Sequence, residues 1–252
     1  MIKIDGLRKL VNIILHSGYV VGEKPLSTMF IGNVGIGKSE LLKHFQLCNN
    51  IIFLTDLTYM GVIGLLKDNK ELRHLIIPDF LKLTMKKGST VDNIISVLNS
   101  LIEEGLFKIS LFGVSEDFKG KQVGLITATT ISSYRQHYKK WNSMGFLSRM
   151  LEVSYDYTDK TINEIFEYIH KGKYIDEHLG KIELPIRNYD IKLKPSLSKK
   201  LREKKTTFRN LKILRTLVKA NALMHDRGEV IQADITEIMQ LSKFFNLKLT
   251  KI

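Results

Sequence analysis

Cysteine is almost absent. Cys48 stands alone in 252 residues, so no internal disulfide can form and a reducing, cytoplasmic setting is expected. A small buried thiol is the ordinary fate of such a residue. Acid is scarce as well: 26 Asp and Glu face 39 Lys and Arg, a net charge of +13. The sequence pI is near 9.6. That balance makes polyanions natural partners, although a lysine-rich proteome would produce it too. No apolar run approaches the ~20 residues a membrane span needs. Asp5, Arg8 and Lys9 interrupt the apolar positions near the N-terminus, which argues against a secretory signal and against a membrane partner. The seven histidines show no metal-ligand spacing. Internal repeats and low-complexity linkers are missing too.

What is present centres on Leu26 to Leu47. An apolar run, Met29 to Ile31, leads into Gly32, Asn33, Val34, Gly35, Ile36, Gly37, Lys38 and Ser39, with Glu40 opening a helical pattern of Leu41, Leu42 and Phe45. This is G-x-x-x-x-G-K-S between a strand and a helix, the P-loop signature. Its glycines let successive N–H groups converge on one concavity that attracts phosphate oxygens. The start of the following helix adds partial positive charge. Lys38 is expected to reach the β- and γ-phosphates of ATP, and the Ser39 hydroxyl to ligand Mg²⁺. At ordinary residue frequencies the pattern arises by chance on the order of 0.01 times in a chain of this length.

Around it the chain alternates. Residues 5–16 carry a helical stripe; 51–58, 75–80, 107–112 and 123–130 read as strands; and 89–105 reads as a helix closed by Gly105. Strands alternating with helices predict an α/β fold with a parallel sheet flanked by helices. Beyond residue 153 only helical patterns follow. The expected division is an α/β nucleotide-binding domain over 1–153 and a small all-helical lid over 154–252.

In this order the motifs resemble AAA+ P-loop ATPases. VGLITATT is similar to the family's sensor-1 strand, which puts Thr130 on the sensor position with Thr129 beside it. GFLSRM is similar to the arginine-finger segment of minichromosome maintenance helicases and clamp loaders, matching Arg149. LNSLIEEG resembles the helix before the presensor hairpin of those helicases and of MoxR-type ATPases. TTFRNLKILRTLVKANALMHDRGEVIQADI resembles their lid and puts Arg209 on sensor 2. The resemblance spans about residues 20–245 and implies ATP hydrolysis by a homo-oligomer, a ring or helix whose assembly depends on nucleotide. Arg149 would act on a neighbour's γ-phosphate; Thr130 and Arg209 would act within the subunit. For Arg149 and Arg209 an ordinary surface charge is the alternative reading.

One departure concerns Walker B, which in the family ends Asp-Glu. Here LIIPDF offers Asp79 alone. Either Asp79 is the Mg²⁺ aspartate and Phe80 replaces the base, or Pro78 takes the metal position and Asp79 the base position. The second register sets Leu75, Ile76 and Ile77 directly beneath the family's apolar strand and is preferred. Hydrolysis is then expected to be slow, or to draw its base from elsewhere in the chain.

The basic stretch from Lys199 to Lys219 includes Lys199, Lys200, Arg202, Lys204 and Lys205, with Glu203 its one acid. Such density can supply sequence-independent phosphate contacts. Lys119 and Lys121, in the expected presensor hairpin, are a second candidate. A solvated charged face is the alternative for both. The expected activity is a DNA-associated ATPase, a loader, remodeller or transposition-type regulator with a helicase or recombinase as protein partner. The alternative is a slowly hydrolysing, ATP-gated scaffold that acts on a protein without nucleic acid.

Overall fold

The computed structural model describes residues 4–86, 88–111, 114–172, 182–202 and 207–245. Five short apolar runs become parallel strands: β1 (Thr28–Gly32), β2 (Ile51–Phe53), β3 (His74–Ile77), β6 (Gly124–Thr130) and β7 (Leu151–Ser154). Their spatial order is β2-β3-β6-β1-β7. β1 is therefore central, with Gly32 opposite Thr130 of β6 and Ile31 opposite Ser154 of β7. A parallel sheet must be covered on both faces, which accounts for the unbroken burial of β1.

Two apolar clusters provide that cover. On one face α1 (Asp5–His16), α2 (Lys38–Lys43), α9 (Phe208–Met224) and α10 (Gln232–Leu241) pack on Phe30, Ile76, Ile126 and Val153. On the other, α3 (Tyr59–Asp68), α5 (Gly88–Asn99) and α6 (Ile131–Ser143) pack on Met29, Ile31, Leu75, Ile77 and Leu125. After Ser154 the regular elements among the described residues are helical, including α7 (Asp159–His170) and α8 (Pro195–Arg202). Leu214, Leu217 and Val218 of α9 share one core with Leu7, Leu10 and Val11 of α1. Among the described residues no helix is long and apolar enough to cross a membrane.

Several local expectations shift. The strand expected over 51–58 ends at Phe53, and that over 75–80 ends at Ile77, where Pro78 leaves the ladder without a donor. The polar segment expected to link two strands is itself β5 (Val114–Lys121), paired antiparallel with β4 (Leu106–Leu111) as a separate hairpin. Its root explains Gly105: φ is +82°, and a Cβ there would come within 2.5 Å of the Gly120 carbonyl. Helix α6 and strand β7 carry no expectation from the sequence. Trp141 anchors α6, fully buried in edge contact with Phe80, with ring centroids 5.4 Å apart.

His74 opens β3 in complete burial, pressed between two glycines. A Cβ on Gly18 would come within 3.1 Å of its ring, and one on Gly124 within 2.4 Å. Burial pushes its pKa down to about 3. The native chain thus refuses a proton that the unfolded chain accepts below its ordinary value near 6.5. Stability should therefore fall as pH drops through that window, by about 2 kcal/mol between pH 7 and pH 5 from this residue alone. Urea unfolding of the parent and of His74→Gln at both pH values measures it; the variant should lose that share of the slope.

Candidate functional site

The helices that follow β1 and β6 leave toward opposite faces of the sheet, α2 with the α1 cluster and α6 with the α5 cluster. Because β1 and β6 are neighbours, a crevice opens at their carboxyl ends, the usual ligand position in an open α/β sheet. Three chain segments meet there: the Gly32–Ser39 loop, the turn after β3, and the end of β6.

The loop has the backbone its glycines predict. Gly35 and Gly37 adopt φ of +81° and +80°, a left-handed conformation costly for other residues. Gly32 is required differently, since a Cβ there would meet the Ile36 side chain at 2.2 Å. Asn33, Val34 and Gly35 are exposed at the rim, Val34 to 83%. Lys38 folds back over the loop and donates to the carbonyls of Gly32 (2.9 Å) and Asn33 (2.5 Å). Burial pulls its ammonium below the ordinary lysine pKa, while the Asp79 carboxylate opposes that shift. The Ser39 hydroxyl is exposed and lies 3.5 Å from the Pro78 carbonyl. Glu40 is exposed along α2 and pairs with Lys43 at 2.6 Å.

Asp79 accepts a hydrogen bond from the Leu81 amide at 3.1 Å. The next side chain turns the other way. Phe80 is fully buried, stacked on Phe146 at 5.3 Å and 10°, and its amide donates to the Ala128 carbonyl at 2.9 Å. A ring held in the core cannot occupy the position of a base at the crevice, so Asp79 is the carboxylate this turn presents. The Ser39 hydroxyl and, in the rival register, the Asp79 carboxylate are the hard oxygens that could hold Mg²⁺, which commonly takes one or two protein ligands beside phosphate and water. Among the described residues no group of three or more His, Cys, Asp or Glu could hold a metal.

At the end of β6 the two threonines divide. Thr130 caps α6, its hydroxyl accepting from the Ser133 amide at 3.1 Å. Thr129 is 2% exposed and its hydroxyl has no hydrogen-bond partner among the described residues. Sequence reasoning missed Tyr155. It follows β7 and donates its hydroxyl to the Ile36 carbonyl at 3.0 Å, pinning the loop from the other side. Burial raises its pKa, so the hydroxyl stays a donor. Only its nearness to β7 could have signalled it, and β7 itself was not read.

Arg149 and Arg209 are not brought to this crevice. Arg149 lies in a 3-10 turn (Leu147–Arg149) just before β7, at the amino end of the sheet. Its guanidinium donates to the Gly145 carbonyl at 2.7 Å and faces Glu104 at 3.7 Å. Arg209 donates to the Ser148 hydroxyl at 2.7 Å, in that same turn. The sensor-2 role within one subunit is thus not what this arrangement of α9 offers, since the length of β1 separates Arg209 from its own loop. The RGEVIQADI end of the lid-like segment has a structural use. Arg227 pairs with fully buried Asp234, whose other oxygen caps α10 through the Ile231 amide at 2.8 Å.

The basic residues also separate. Lys199, Lys200 and Arg202 are exposed on α8, with Lys200 bonded to Gln232 at 2.7 Å. Lys204 and Lys205 lie outside the described residues. Arg215 and Lys219 converge on Glu23 at 2.8 and 2.9 Å; Lys219 is buried there, whereas the Arg215 side chain stays half exposed. Lys119 is exposed near the root of the β4–β5 hairpin. Lys121 pairs opposite Leu106 at that root and donates to the Lys70 carbonyl. Burial lowers its pKa, with Arg73 adding to the shift.

No protein-family model matches the chain, and a search of curated proteins finds no match.

Proposed function

We propose that the chain is a P-loop ATPase of AAA+ type that binds ATP with Mg²⁺, assembles as a homo-oligomer and works on nucleic acid. One observation carries the nucleotide reading: a G-x-x-x-x-G-K-S loop with left-handed Gly35 and Gly37 lies at the switch point of a parallel sheet, with Lys38 within electrostatic reach of Asp79. In this reading the loop amides and Lys38 hold the β- and γ-phosphates. Lys38 exchanges its two backbone carbonyls for phosphate oxygens, which are stronger acceptors. Bound Mg²⁺ supplies charge neutralisation, and Ser39 helps to hold it. Asp79 orients the attacking water, and Thr129 offers it a buried hydroxyl.

The oligomer rests on Arg149. Its turn lies beyond the amino end of β7, about 15 Å of strand away from the loop after β1. A finger at that end can serve only another subunit's nucleotide. The net charge of +13 supports a polyanion partner. A single carboxylate where two are usual favours a second reading: a slowly hydrolysing switch that acts on a protein partner.

Lys38→Ala removes the side-chain cation nearest the phosphates. ATP affinity should fall at least tenfold, about 1.4 kcal/mol. Calorimetric titration of both proteins with ATP and Mg²⁺ is the check, and unchanged affinity would sink the nucleotide site. Phosphate release measured with and without DNA separates the two readings. Stimulation supports the nucleic-acid ATPase; tight retention with no DNA effect supports the switch.

A further inference from the structure

Between Asp117 and Glu152 the sequence contains no acidic residue, yet it carries Lys119, Lys121, Arg135, Lys139, Lys140 and Arg149. Three of these six lie on α6, and two of them, Arg135 and Lys139, stand on its outer face. Ser132, Arg135, Gln136 and Lys139 follow one another at helical spacing and are all exposed. Tyr138 stands beside them, 44% exposed, its ring 5.5 Å from that of Tyr134. The nearby carboxylates are engaged. Asp92 pairs with Lys140 at 2.6 Å, and Glu152 bonds the Tyr134 hydroxyl. Among the described residues no carboxylate pairs with Arg135 or Lys139.

We infer that the outer face of α6 binds single-stranded nucleic acid, with Arg135 and Lys139 on successive phosphates and Tyr138 stacking a base. The inference rests on the nucleic-acid reading above and names its surface. Cations tracking a backbone beside an exposed aromatic ring are what sequence-tolerant single-strand binding requires.

The position of α6 gives this surface a route to the nucleotide. Its first turn is capped by Thr130, which faces Gly32 across the β6–β1 ladder. Its last turn is held by Trp141 against Phe80, the neighbour of Asp79. Both ends of the helix are thus fastened to segments that form the crevice. A strand lying on α6 would bias the placement of Asp79 and Thr129, and ATP turnover would respond to it.

The test uses the full chain with an ATP analogue and a short fluorescent oligothymidylate, read by anisotropy over a salt series. Tyr138→Ala should weaken binding about fivefold or more, and Tyr138→Phe should restore it. Arg135→Ala with Lys139→Ala should flatten the slope of log K against log salt by about 1.4, the loss of two single-strand phosphate contacts. These are exposed positions, so melting temperatures close to the parent's verify the fold. A second variant, Lys199→Ala/Lys200→Ala/Arg202→Ala, places the alternative surface on α8 in the same assay. Parent-like binding by the α6 variants, with loss confined to the α8 variant, overturns the inference and leaves the nucleic-acid reading standing. A parent chain with no affinity for the oligonucleotide overturns both.

Discussion

Asp79→Asn protein should bind ATP and Mg²⁺ nearly as tightly as the parent and hydrolyse ATP roughly 10²–10⁴-fold more slowly, the usual contribution of a positioned general base. The neutral amide keeps the size of the side chain and its acceptor for the Leu81 amide, so the turn after β3 should survive. What disappears is the charge that polarises water, an interaction made mainly in the transition state and therefore visible in turnover rather than affinity. Phe80→Glu provides the contrast. In the alternative register it would restore a missing base. Phe80 is instead enclosed by Trp141 and Phe146, so a carboxylate there would be buried without a partner and would destabilise the fold. Single-turnover hydrolysis and Mg²⁺ titration of both variants distinguish the registers. Loss of Mg²⁺-dependent binding in Asp79→Asn would assign Asp79 to the metal.

The loop was legible because its chemistry is local. Eight consecutive residues, three of them glycine, dictate a backbone path almost independently of the rest of the chain. The central sheet was legible for a related reason: fully buried parallel strands read as unbroken apolar runs, as Met29–Ile31 and Leu75–Ile77 do. Segments that serve both sheet and surface were not. The residues of α6, ISSYRQHYKKWNS, mix aromatic and basic side chains, and the one that fixes the helix, Trp141, declares its role only through partners Phe80 and Phe146. β7 reads Leu-Glu-Val-Ser, whose polar residues at every second position break the apolar run that marks the other buried strands.

Long-range electrostatics was the least visible layer. Along the chain Glu203 is the only acid between Lys199 and Lys219, yet the fold brings Glu23 against Arg215 and Lys219 from nearly 200 positions away. That contact ties α9 to the segment leading to β1 and takes Lys219, buried against Glu23, out of the exposed basic face. Arg209 shows the same effect. Its local sequence matches a sensor position, but the docking of α9 against α1 directs it to Ser148. A motif can determine a backbone turn from within, whereas a cation's role depends on what the fold sets beside it.

Arg149→Ala should spare nucleotide binding and reduce turnover by roughly 10³-fold or more, the scale of a lost arginine finger. In the single chain the Arg149 side chain is only 18% exposed, and its guanidinium rests on Gly145 and Glu104. To reach a neighbour's phosphate it must leave these contacts, which a stronger, doubly hydrogen-bonded anionic partner can drive. Arg149→Lys keeps the charge but loses the planar fork, and should recover little of the rate. Some loss could come from the turn itself, since a Cβ on Gly145 would lie 2.4 Å from this guanidinium and the packing there is close. Mixing separates the causes. Arg149→Ala retains a sound loop and Lys38→Ala retains a sound finger, so mixed oligomers contain interfaces in which both are intact. Equimolar mixtures should therefore hydrolyse ATP faster than either variant alone, and sedimentation should show assembly that depends on nucleotide. No recovery on mixing, with a monomer at every concentration and in every nucleotide state, would remove the trans-acting role and leave Arg149 as a bracket for the turn before β7.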